Sequence, residues 1–209
     1  EYVAPGVTTE RVVDPAALRR AHERALANTT FRGAAERVAV REGSVVASSR
    51  WAVAVNRSTN RALVRQRPGG RGDRVATWAS GAVGYQRRAD WEATEYASLP
   101  GEVVRRATAS DPFDPRLPRT LVLAETTVTA LDDGRYRVTA RAVPAGDGTR
   151  PGYERLSFVV DDRGLVHALE SVRVGPDRRT TRRFDLDPGG PVPLERPEWV
   201  ATAANATDA

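Results

Sequence analysis

"TLVLAETTVTALDDGRYRVTARAV", residues 120–143, is a β-hairpin with its turn written out. Valine, threonine and tyrosine alternate with small or charged residues on both sides of Asp132-Asp133-Gly134, the period of two that a half-buried strand shows. Glycine supplies the positive φ of a tight hairpin turn, and aspartate bonds its own backbone there. The pattern continues downstream. "YERLSFVV" (153–160) and "LVHALESVRV" (165–174) flank the turn Asp161-Asp162-Arg163-Gly164, and "RRTTRRFDL" (178–186) adds another strand.

Upstream, "ERVAVRE" (36–42), "VVASSRWAVAVN" (45–56), "ALVRQR" (62–67), "RVATWAS" (74–80) and "AVGYQRR" (82–88) repeat the short-strand, short-turn rhythm of an antiparallel sheet. "RPGGRGDR" (67–74) is a loop by composition. "WEATEYASLPGEVVRRATAS" (91–110) reads as one or two short helices split at Leu99-Pro100-Gly101, and the proline-rich "DPFDPRLPR" (111–119) as a crossing segment.

Ahead of the strands stands one helix. Asp14-Pro15 pairs an N-cap carboxylate with proline at the first helical position. Leu18, Ala21, His22, Ala25 and Leu26 then recur at helical spacing, while Arg19, Arg20, Glu23 and Arg24 lie elsewhere around the axis. One helix cannot cover so many strands unless the sheet curls around it. The expected class is therefore α+β: a curved antiparallel sheet, or half-barrel, wrapped around the N-terminal amphipathic helix. A short helical interruption and a C-terminal strap complete it. A single domain over 1–209 is expected, with an extended N-terminal segment at 1–13 and a disordered tail at 204–209. The strap is "VPLERPEWVATA" (192–203), where Pro193 and Pro197 forbid a central strand. Trp199 is large surface to leave wet, so it reads as the structural anchor.

Composition narrows the function. A chain of 209 residues can bury roughly 70% of its unfolded surface. No apolar run approaches the ~18 residues of a membrane helix. Cysteine is absent, which removes disulfides and thiolate chemistry, and Met is absent too. Starting at Glu1, the chain reads as a mature or trimmed form. All 32 basic residues are arginine, and 27 acids are interspersed with them, so the net charge of +5 describes a mixed, solvated surface. Three glycosylation sequons occur, at Asn28, Asn56 and Asn205.

A screen for chemistry returns no enzyme signature. His22 and His167 are the only histidines, without a G-x-S-x-G elbow or a zinc-binding pair. Both read as packed residues. No P-loop or dinucleotide fingerprint is present, so no catalytic residue, metal or cofactor is assigned. Two arginine clusters (Arg65, Arg67, Arg71, Arg74 and Arg178, Arg179, Arg182, Arg183) are able to meet phosphates. They lack the helix or aromatic motif of a nucleic-acid reader, and no nucleic acid is expected.

The ends of the chain carry a resemblance. "YVAPGVTTERVVDPAALRRAHERAL" (2–26) is similar to the opening of a family of haloarchaeal secreted lipoproteins of undefined role, with its Tyr-x-Pro-Gly-Val stretch, its Val-x-Asp-Pro-x-x-Leu helix start and its Ala-His. "VPLERPEWVATA" resembles that family's closing Pro-x-Trp-Val segment. The resemblance implies a half-barrel of the bacterial lipoprotein-carrier and mycobacterial lipoprotein type. It also implies an address on the extracellular face of the cell membrane, with anchoring only through a lipid on an upstream cysteine.

On these grounds the chain is expected to be a non-enzymatic cell-envelope lipoprotein domain that binds or carries an apolar ligand such as an isoprenoid lipid. Its other expected partner is an anionic envelope surface, and it is expected to be a monomer. The alternative is a cell-surface structural or interaction protein with a filled core and no ligand. The aromatics Trp51, Trp78, Tyr85, Trp91 and Tyr96 concentrate in the first half. The expected ligand cleft lies beneath the helix, between Leu18, Ala21 and Ala25 on one side and Trp51, Trp78 and Tyr85 on the other.

Overall fold

The computed structural model describes residues 1–69, 74–104, 112–144 and 152–207. Tyr2–Ala4 (β1) and Val7–Thr8 (β2) form a small hairpin before the helix Pro15–Ala27 (α1). Six strands follow: Phe31–Arg41 (β3), Ser44–Asn56 (β4), Arg61–Pro68 (β5), Arg74–Ser80 (β6), Val83–Ala89 (β7) and Thr94–Pro100 (β8). A 3-10 turn at Arg119–Leu123 precedes Glu125–Ala130 (β9), Tyr136–Val143 (β10), Tyr153–Val160 (β11), Val166–Val174 (β12) and Arg179–Pro188 (β13). The helix Trp199–Thr207 (α2) comes last.

Strands β3 to β13 make one antiparallel sheet in the order β8-β7-β6-β5-β4-β3-β13-β12-β11-β10-β9. Every neighbouring pair in the sheet is consecutive in sequence except β3 with β13, and the consecutive strands β8 and β9 stand at opposite edges. The sheet is open, with β8 and β9 at its edges. The α+β class is the expected one. Three segments differ from expectation. Arg119–Leu123 form a 3-10 turn that takes the first residues of the hairpin strand expected from 120, so β9 starts at Glu125. Residues 94–100 form an edge strand where a helix was expected, and among the described residues of that stretch 101–104 are helical. The strap ends as α2, so residues 204–207 are helical rather than part of a disordered tail.

The chain divides into two compact units, one of Glu1–Ala27, Arg37–Ala47 and Asp114–Leu186, the other of Asn28–Glu36, Ser48–Phe113 and Asp187–Ala209. In the first unit, the pairings Val138 with Phe158, Phe158 with Leu169 and Leu169 with Phe184 set an apolar row across β10 to β13. All four are buried. One residue along, the side chains belong to the other face. There Glu170 bridges Arg155 and Arg183 on the adjacent strands.

Helix α1 starts as its sequence directs: Asp14 Oδ1 accepts the N–H groups of Ala16 at 3.0 Å and Ala17 at 2.9 Å. Leu18, Ala21, His22 and Leu26 are its buried stripe. Ala21 is small for a packing reason. Gly164, at φ +86° in the β11–β12 turn, would place a Cβ 2.7 Å from the Ala21 Cβ. The alanine face thus lets the turn approach the helix. It does not hold space open. The fully buried Leu18, Leu26, Leu121, Phe158 and Phe184 fill the interior.

Candidate ligand-binding groove

Strands β4 to β8 of the second unit present two faces, and register decides which side chains share one. Trp51 stands opposite Gln66, and Gln66 opposite Val75. Ala54 stands opposite Leu63, Leu63 opposite Trp78, and Trp78 opposite Tyr85. Trp51 and Ala54 are three residues apart, an odd number, so Trp51 and Trp78 lie on opposite faces. The expected cleft flanked by both tryptophans is corrected on this point: Trp78 and Tyr85 come together, and Trp51 does not join them. Leu18 and Ala21 are buried on α1 in the first unit, with Ala25 half-buried beside them.

On the Trp51 face lies a cavity of about 210 Å³, walled by Val64, Val75, Leu99 and Val104. The helical turn 101–104 closes it. Gly84 lacks a side chain where a Cβ would meet Val104 Cγ2 at 2.6 Å. With a water's share of liquid near 30 Å³, that space admits a short apolar fragment and not a full lipid chain.

The Trp78 face carries the larger feature. Val200 of α2 packs on Leu63 and Trp78, with Tyr85, Leu194 and Trp199 around them. Val200 and Trp78 are fully buried, whereas Trp199 is half-buried. Beside this cluster runs a groove of about 950 Å³. Its construction follows from two rows of the sheet. Arg65 faces Ala76 and Ala76 faces Arg87; one row on, Arg74 faces Ala89 and Ala89 faces Thr94. The alanines form a low floor between arginine walls, Arg67 extends one wall, and Trp91, Pro197 and Trp199 stand at the rim.

Trp91 is 76% exposed although it sits on a fixed turn. Asp90 Oδ1 accepts the N–H groups of Glu92 and Ala93, each at 2.7 Å. Those backbone bonds, Ala93's first, hold the Asp90 carboxyl below its ordinary value. Asp90 is the only carboxylate lining the groove among the described residues. Arg65, Arg67, Arg74 and Arg87 have no ion pair or hydrogen bond among the described residues, and Arg87 Nε is buried without an acceptor there.

The second arginine cluster behaves differently. Arg179 pairs with Glu154 and Arg183 with Glu170, each at 3.3 Å. Arg182 donates to the Asp114 carbonyl at 2.5 Å and lies over the Phe184 ring. That cluster ties strands together; the first is left open. Arg71 of the first cluster lies outside the described residues. Arg87 was not legible as a member, being thirteen residues beyond Arg74. Counting register through the β5–β6–β7 hairpins is the signal that finds it.

The remaining sequence candidates serve the fold. His22 is buried, and its Nδ1 accepts the Val166 N–H at 3.0 Å. His167 Nε2 lies 3.2 Å from Asp161 Oδ2, in a turn that Asp161 itself organises. Among the described residues no group of three metal-binding side chains occurs, and no helix is long and apolar enough to cross a membrane. Of the sequons, Asn28 and Asn205 are exposed. Asn56 Nδ2, the atom a glycan would use, donates to the Val192 carbonyl at 2.8 Å.

No family model and no curated protein matches the chain. Among solved structures it is similar to the LolA superfamily protein NE2245 from Nitrosomonas europaea, at 8% identity and a TM-score of 0.32, over 90% of this chain and 97% of that one. It is also similar to LprF from Mycobacterium bovis, at 14% identity and a TM-score of 0.40, over 86% and 95% respectively.

Proposed function

We propose that the chain is a non-enzymatic binding domain of the cell envelope that holds a lipid or other apolar-bodied ligand in the groove beside α2. One observation carries the reading. An indole exposed to 76% on a pinned turn, lining together with a half-buried second indole a space of about 950 Å³, is apolar surface without a cover. Ligand sites run to about 300–1,000 Å³ and draw much of their affinity from such aromatic walls. The groove is built from other residues than the cleft expected beneath α1, whose helix buries Leu18, Ala21, His22 and Leu26. The envelope address is supported by the resemblance at the two ends of the sequence, and an anchor would be a lipid on an upstream cysteine.

The alternative, a surface interaction protein without a ligand, is favoured by the filled space between α1 and its strands. Native mass spectrometry of the purified chain separates the two. A co-purified species of a few hundred daltons or more, lost in Trp91→Ala, is the expected result. Bare protein that also fails to bind added lysolipid would leave the interaction reading in place.

A further inference from the structure

We infer that the groove recognises the head of its ligand as an oxyanion, of the phosphate type, held between Arg65 and Arg87 across Ala76. This deepens the binding reading above and rests on it. Strands β5, β6 and β7 are successive neighbours, so with about 4.8 Å between strands the Arg65 and Arg87 backbones stand about 10 Å apart. Only the methyl of Ala76 lies between them in that row. The slot admits an anion and lets two long side chains close on it from both sides.

Charge makes the same demand. Among the described residues, Arg65, Arg67, Arg74 and Arg87 share the groove with one carboxylate, that of Asp90, whose Oδ1 is taken by two backbone N–H groups. Like charges on facing rows of a sheet repel unless a counter-charge sits among them. Arg87 Nε is buried without an acceptor among the described residues, and a buried donor left unmade is costly. A guanidinium presents its Nε and a terminal nitrogen as a planar fork that matches two oxygens of one phosphate. The rest of such a ligand would run toward Trp91 and Trp199, which gives an amphiphile with a phosphate head.

The test uses the intrinsic tryptophan fluorescence of the whole chain, titrated below micelle formation. The probes are a lysophosphatidic acid, the monoacylglycerol with the same acyl chain, and inorganic phosphate. The lysophosphatidic acid should bind at least tenfold more tightly than the monoacylglycerol. Arg87→Gln should remove most of that difference while leaving monoacylglycerol binding and the melting temperature unchanged. Arg88→Gln removes the same charge from the opposite face of β7 and should leave the preference intact. Equal affinity for the two lipids, or equal losses in Arg87→Gln and Arg88→Gln, would overturn the head assignment and keep the binding reading. Phosphate binding as tightly as the lysophosphatidic acid, with the same dependence on Arg87, would keep the oxyanion site and overturn the lipid. If no probe binds, both fall.

Discussion

At the scale of single residues, the carboxylates held below their ordinary pKa, Asp90, Asp133 and Asp161, belong to turns. Asp161 is the most connected carboxylate, with its side chain 12% exposed. Burial pushes its pKa up, but bonds from the Arg163 side chain, the Leu165 N–H and His167 outweigh this and hold it below its ordinary value. A carboxyl with a depressed folded pKa contributes stability that is present above its unfolded value, near 3.9, and is lost as pH falls through the folded value. Urea midpoints should therefore drop on acidification below about pH 4. Asp161→Asn should lower the midpoint at pH 7 and flatten the acid limb. An acid limb of unchanged slope in the variant would show that Asp161 is not its source. The sequence showed Asp161 to be a turn residue, since Asp-Asp-Arg-Gly between two alternating runs has one reading. It did not show the partner His167, which reaches back from β12 only once the hairpin closes.

At the scale of elements, what was legible depended on whether the signal was local. Strand β10, after Asp132-Asp133-Gly134, emerges within a residue of its expected bounds, whereas β9 before it starts five residues late, behind the 3-10 turn, and Asp14-Pro15 starts α1 as written. "TEYASLP" was ambiguous: glutamate, alanine and leucine favour a helix, threonine and tyrosine a strand, and pairing with β7 decides for the strand. Helix α2 starts behind Pro197-Glu198, without the Asp-Pro order that marks α1, and the Pro197 carbonyl accepts the Val200 N–H at 3.0 Å. The groove was not legible, because strands alternate identically in either register and only pairing puts Arg65, Ala76 and Arg87 in one row. The tail is held by Val200 and Ala203, both fully buried, more than by Trp199. Trp78→Ala should thus cost about 3–5 kcal/mol, as truncation of a buried aromatic does. Trp199→Ala should cost less and act mainly on ligand binding. Denaturant titration of both variants checks the order, and a larger loss in Trp199→Ala would restore it as the anchor.

At the scale of the whole molecule, an open sheet has two unpaired edges, and edges are where chains join. Each edge here is poor material for a second copy. Strand β8 ends in Pro100, which has no N–H to donate, and it lies against α2. Strand β9 is only six residues long and opens on the charged, exposed Glu125. Short, charged or proline-ended edge strands are the devices by which natural sheets avoid edge-to-edge pairing. Two copies, each carrying a net charge of +5, also repel before they touch. The exposed apolar residues are scattered, Tyr2, Val83 and Val174 on different elements and Val45-Val46 and Val122-Leu123 as adjacent pairs, and such small patches do not make an interface. The isolated chain should therefore sediment as a monomer at micromolar concentration, at both low and moderate salt. A stable dimer would overturn this. A dimer that Lys substitutions at Thr127 and Thr129 dissociate would place the join on β9, whereas one lost with Tyr96→Lys would place it on β8.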